Sequence, residues 1–168
     1  MYANVTNVDE GHEIRYERQL KHPVEKVWRA LTDPERLRAW LGRAEQLELS
    51  VGGAYEIHWE NSDAVMDGTI TELDPPRLLE TDSSSHGRLR WELAPQGGGC
   101  ELSLTVTMDA PEFLTKALAG WHLHIDVLES FLASGDRMDW EHDDWMSDWE
   151  RLHERYVELY GAEAGTTG

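Results

Sequence analysis

The chain has 168 residues, a single cysteine and a formal net charge of −18. That length fits one domain able to bury a core without disulfides or metals, and Cys100 alone closes no internal disulfide, which fits a reducing compartment. A field this negative repels phosphate backbones and anionic headgroups, so nucleic acid and membrane surfaces are poor partners.

Residues 1–11 are polar and read as a flexible N-terminus, with neither the basic start nor the apolar run of a signal peptide. No stretch approaches the ~18 consecutive apolar residues of a membrane span, and the reading is cytoplasmic. From His12 to Leu20 the chain alternates, with Ile14, Tyr16, Arg18 and Leu20 on one face, which predicts a strand. Arg18 is the odd member of that face; turned inward it needs a carboxylate, and Glu72 is the candidate. Pro23 opens a helix carrying Val24, Val27, Trp28 and Leu31. Asp33 then caps a second short helix, with Pro34 at its first position and Leu37, Trp40 and Leu41 as its apolar side.

Six more strands follow. They are residues 45–51, 55–59, 65–73, 78–83, 88–93 and 101–108, separated by Gly52-Gly53, Asn61-Ser62-Asp63, Asp74-Pro75-Pro76, a serine run at 83–85 and a glycine-rich hairpin at 96–99. Short connections imply an antiparallel meander of about seven strands. From about Glu112 to Ala133 the period changes: Leu114, Leu118, Trp121, Ile125, Leu128 and Leu132 share one helical face. Such a helix is roughly 30 Å long, enough to cross a sheet. A last amphipathic segment carries Trp145, Trp149, Leu152, Tyr156 and Leu159. The fold class is therefore α+β, a curved antiparallel sheet wrapped around a long C-terminal helix. The boundaries read as 1–11, a core domain at 12–135, a helical extension at 136–160, and a disordered tail at 161–168. The extension must bury its rings on the domain itself or on a second copy, giving a homodimer. Between Asp136 and Glu158 nine carboxylates face three arginines, a solvated surface by default.

Several segments resemble one family. They are HPVEKVWRALTDPERLRAWL at 22–41, GGAYEIHW at 52–59, GTITELDPPRLLET at 68–81, GGGCELSLTVTM at 97–108 and AGWHLHIDVLESFL at 119–132. In order and spacing they resemble the branch of the SRPBCC superfamily called activator of heat-shock-protein-90 ATPase homologue, C-terminal-like. The resemblance covers roughly residues 14–133. It implies the helix-grip fold, shared by START domains, the birch-pollen allergen family and polyketide cyclases. It also implies a cavity between sheet and helix suited to a lipid-like or aromatic molecule. It implies no shared catalytic residues.

Eight tryptophans are many for this length, and indoles often line cores, interfaces and pockets. The residues expected to face the gap are Trp40, Tyr55, Ile57, Trp59, Trp91, Met108, Trp121, Ile125 and Leu128; in a fully packed domain they are simply core. His122 and His124 lie two apart on a helix, point in different directions and cannot share a metal, whereas His122 and Asp126 are spaced to pair. There is no G-x-S-x-G, no phosphate-binding glycine loop and no H-E-x-x-H, so no cofactor and no metal are expected. The leading reading is binding of a small hydrophobic ligand, leaning away from catalysis. Its rivals are a cyclase- or hydrolase-type enzyme using the same cavity, and a chaperone-linked or other protein-interaction module.

Overall fold

Residues of period two pair into one antiparallel sheet. The computed structural model describes residues 1–60 and 62–164. Asn61 of the expected turn and residues 165–168 of the expected tail lie outside the described residues. The strands are β1 (Asn4–Val8), β2 (Gly11–Leu20), β3 (Arg43–Leu47), β4 (Ala54–His58), β5 (Val65–Asp74), β6 (Leu78–Ser83), β7 (Gly87–Gln96) and β8 (Gly99–Met108). Their spatial order is β1-β2-β8-β7-β6-β5-β4-β3. Between β2 and β3 stand helices α1 (Val24–Thr32) and α2 (Pro34–Trp40). After β8, one 3₁₀ turn (Pro111–Phe113) leads into α3 (Leu114–Ser134), and α4 (Trp145–Ala164) ends the described chain.

The sheet has eight strands rather than seven, because the segment read as a flexible N-terminus contributes β1. Its sequence, Asn-Val-Thr-Asn-Val, shows no alternating apolar face because it lies at the sheet edge, where main-chain pairing to β2 suffices. Two tyrosines of α4 fasten it. Tyr156 accepts the Ala3 N–H at 2.9 Å, and Tyr160 donates to the Ala3 carbonyl at 3.0 Å. At the other end, α4 continues to Ala164, so residues 161–164 are helix and not tail.

Register places the apolar residues on one side. Ile14 lies opposite Val106 and Tyr16 opposite Leu104, and all four are buried. Shifts in register at Ala44/Gln46 and at Ile70/Glu72 interrupt the outer ladders; such bulges bend a sheet. The six apolar residues expected to share a face of α3 are all buried against it. The helix ends at Gly135, whose φ of 76° is the left-handed cap that glycine adopts without strain. Asp33 caps α2 by accepting the Glu35 N–H at 3.1 Å.

The interior is closed by polar tips that end on main-chain carbonyls. Trp40 Nε1 donates to Ala30 at 2.8 Å, the Tyr55 hydroxyl to Leu31 at 2.7 Å, and the Tyr16 hydroxyl to Leu118 at 2.7 Å. Burying a ring costs nothing further once its one polar group is satisfied. Arg18 lies on the inner side, with a side chain 10% exposed, and pairs with Glu129 at 3.1 Å and Asp126 at 3.7 Å. Glu72 is not its partner: β5 stands four strands from β2, and Glu72 pairs with Arg90 on the sheet surface.

Helix α4 packs along α3. His153 Nε2 and Thr115 Oγ1 are 3.1 Å apart, and the His153 ring stacks on Trp149 with centroids 4.8 Å apart. The buried Tyr156 hydroxyl donates to His122 Nδ1 at 2.8 Å. Burial pushes Tyr156 up to about 12, so it keeps the proton it donates. That bond leaves Nε2–H of His122 facing Asp126 Oδ2 at 3.4 Å. His122 thus belongs to the seam between the two helices.

Candidate functional site

A cleft of about 380 Å³ opens at one end of the sheet, under the start of α4. That is within the range of small-molecule sites, ~300–1,000 Å³. Each surrounding element supplies a residue through its own ending. Trp59 follows β4, Ser85 and His86 form the turn between β6 and β7, and Met108 closes β8. Lys116, Ala117, Gly120, Trp121, Leu123 and His124 come from the first half of α3. Trp140 comes from the segment before α4, and Trp145 and Trp149 from its first turns. Met138 N–H bonds the Ala39 carbonyl at 3.0 Å, which ties that segment to α2.

Five indoles line this cleft: Trp59, Trp121, Trp140, Trp145 and Trp149. They continue a line of edge-to-face rings from the interior. Trp40 meets Trp91 at 5.8 Å, Trp91 meets Trp121 at 6.3 Å, and Trp121 meets Trp59 at 5.9 Å. Such contacts hold ring faces at fixed angles.

Of the nine residues expected at the site, the cleft collects three: Trp59, Met108 and Trp121. Trp91 stands behind Trp121 as its packing partner. Trp40, Tyr55, Ile57, Ile125 and Leu128 are almost wholly buried and fill the space between sheet and α3. The opening lies at the end of that space and not along it. Sequence reading missed His86, His124, Trp140, Trp145 and Trp149. His124 stands three residues beyond Trp121, close to the same helical face, which is the signal that could have found it. The i, i+4 pair Trp145 and Trp149 was visible as a stripe, but its destination was not.

The polar groups of the cleft are few. His124 is enclosed by indoles, with ring centroids 5.1 Å from Trp59, 5.1 Å from Trp140 and 6.0 Å from Trp121. Its Nδ1 lies 2.9 Å from the Trp40 carbonyl, so Nδ1 carries the hydrogen and Nε2 a lone pair. Desolvation pulls its pKa down to about 4, the carbonyl bond opposing. The ring is therefore neutral at physiological pH. His86 is fixed differently: it accepts the Trp59 indole N–H at 3.2 Å and meets Ser85 Oγ at 2.7 Å. Burial lowers it too. The serine run does more than turn the chain. Ser83 and Ser84 each donate to Asp67 at 2.9 Å, holding that carboxylate below its usual range, and this pins the turn that carries His86. At the rim, the Lys116 ammonium lies 5.8 Å from the centre of the Phe113 ring.

Gly120 has a plain reason to be glycine. A Cβ there meets only Trp149 Nε1, at 3.9 Å, an ordinary contact. No crowding demands the residue in the middle of α3, where glycine costs about 1 kcal/mol against alanine. What its missing side chain supplies is room in the cleft.

The other candidates lie elsewhere. His58 pairs with Glu56 at 2.6 Å on the sheet surface, and His142 with Asp139 at 2.9 Å. Cys100 is buried, and burial pushes its thiol up to about 11. Among the described residues, no three His, Cys, Asp or Glu side chains gather as a metal site, and no helix is long and apolar enough to cross a membrane.

Comparison with solved structures shows the same fold. CalU16 from Micromonospora echinospora is 21% identical, with 95% of this chain and 96% of that one aligned at a TM-score of 0.70. A conserved protein from Enterococcus faecalis is 17% identical, with 95% and 91% covered at 0.75. DynU16, a protein in the dynemicin biosynthetic locus, is 21% identical over 76% of this chain and 50% of its own, at 0.64. No curated protein sequence matches. The description "Activator of Hsp90 ATPase homolog 1-like protein" matches residues 21–133, two thirds of the chain and the whole span from α1 to α3. This chain belongs to the Activator of Hsp90 ATPase homolog 1-like family.

Proposed function

We propose that the chain binds a small, flat, apolar or aromatic molecule in the cleft between the sheet end, α3 and α4. The observation that carries this reading is the convergence of five indoles on one opening of about 380 Å³. Rings are costly to leave partly wetted, and a planar ligand covers several of their faces at once. The fold shared with DynU16, a protein of a biosynthetic locus, supports a small molecule as the occupant.

Binding is proposed without a reaction. His124 at about 4 is a weak base, and His86 is committed to Trp59 and Ser85. His124 has no hydroxyl or thiol partner. Although His86 Nδ1 meets the Ser85 hydroxyl at 2.7 Å, Nε2 of that ring accepts from Trp59, so Nδ1 carries the hydrogen and does not take the serine's proton, as acid–base or nucleophilic work requires.

The test is titration with a neutral fluorescent probe, N-phenyl-1-naphthylamine, against wild type and Trp121→Ala. Loss of this lining ring should weaken binding about tenfold, the equivalent of ~1.4 kcal/mol. Unchanged affinity in a folded Trp121→Ala chain overturns the reading.

A further inference from the structure

We infer that the cleft selects planar aromatic molecules bearing a phenolic hydroxyl, which donates its hydrogen bond to Nε2 of His124. This inference rests on the cleft being a ligand site. The main-chain carbonyl of Trp40 accepts from Nδ1 at 2.9 Å and so fixes the tautomer. Among the described residues Nε2 has no partner, and its ring borders the cleft. Three indoles surround that ring and offer no acceptor of their own, since an indole nitrogen only donates. One acceptor is thus set in apolar walls.

A second unsatisfied group lies beside it. Trp140, 8% exposed, lines the same cleft. Its Nε1–H is buried without a partner among the described residues. The His124 and Trp140 rings are 5.1 Å apart. The acceptor at His124 is what a hydroxyl satisfies, because it donates one hydrogen. A plain hydrocarbon leaves Nε2 of His124 desolvated and unpaired, which disfavours it. A carboxylate carries no hydrogen to donate and meets a lone pair at His124.

Acidity extends the argument. The titratable groups sharing the cleft with His124 are His86 and Lys116. Burial keeps His124 neutral down to about pH 4, so it remains an acceptor at pH values where an ordinary histidine is protonated.

The experiment compares 2-naphthol with 2-methoxynaphthalene by quenching of tryptophan fluorescence. The ether keeps the ring and adds a methyl group, so a cleft indifferent to the hydroxyl binds it at least as well. Wild type should bind the naphthol about fivefold more tightly. His124→Phe should lose that preference and bind the two probes within about twofold of each other. In wild type the preference should persist at pH 5.5. Equal binding of the two probes by wild type, a preference surviving in His124→Phe, or its loss between pH 7.5 and 5.5 each overturns this inference and leaves the cleft reading intact. If His124→Phe fails to fold, the pH series on wild type decides. Failure of wild type to bind either probe overturns both.

Discussion

The space between the sheet and α3 and the cleft at its end are built from the same residue types to opposite effect. In the interior, Trp40, Tyr55 and Tyr16 are fully enclosed, and each polar tip ends on a carbonyl. In the cleft, Trp59, Trp145 and Trp149 are only half-buried, while His124 and Trp140 keep polar atoms without partners. Those three interior rings are therefore satisfied within the fold, and the two cleft groups are not. Two histidines of one helix show the contrast most directly. His122 has Tyr156 at 2.8 Å on one ring nitrogen and Asp126 at 3.4 Å from the other, in the seam with α4. His124, two residues on, has one nitrogen used and one open. On the proposed reading, the unpaired lone pair of His124 in an apolar wall is where a ligand bonds.

Breaking each region in turn sharpens that contrast. Ile125→Ala removes a fully buried side chain under α3 and should cost about 3–4 kcal/mol in urea denaturation. The cleft substitution Trp149→Ala should cost less, because that ring is only partly buried, yet it should weaken probe binding more than Ile125→Ala does. Equal stability losses would erase the distinction between the two regions.

A subtler break uses acid. His124 is neutral in the folded chain, with its pKa depressed to about 4 from an ordinary 6.5. The unfolded chain therefore takes up a proton first as pH falls. The contribution is unpenalised above about 6.5, and stability is lost between there and about 4, by at most ~1.4 kcal/mol per pH unit. Subtracting the pH profile of His124→Phe isolates this slope from the relief of charge repulsion in so acidic a chain. A flat difference between the two profiles shows His124 to be an ordinary wetted histidine.

The smallest expected effect is a gain. Gly120→Ala should raise stability by about 0.5–1 kcal/mol in the same denaturation assay, since the added Cβ meets only Trp149 Nε1 at 3.9 Å. Gly120→Leu should keep helical propensity but fill the cleft and lower probe affinity. A glycine held there by packing alone shows neither result.

Much of the fold was legible because its signals are periodic. The six-residue stripe of α3 and the alternation of β2 and β8 name their buried faces without further information. Strand β1 was not legible, since an edge strand tied down by Tyr156 and Tyr160 needs no pattern of its own. Glu72 was assigned to Arg18 by phase alone, and phase says nothing about which strands are neighbours. The site was legible only in part for a related reason. Trp59, Met108 and Trp121 were found from their own elements. The rest of the lining comes from a turn, a linker and α4, which meet only through tertiary packing. Residues expected beneath the helix fill that space because their sizes match, which a list of apolar positions does not reveal.

The indole N–H signals of the eight tryptophans report on interior and cleft in one spectrum. Titration of 15N-labelled protein with 2-naphthol should shift the signals of Trp59, Trp121, Trp140, Trp145 and Trp149, which line the cleft. Trp28, buried on α1, should stay in place. Shifts absent from those five, or centred on Trp28, would contradict the assignment of the cleft as the ligand site.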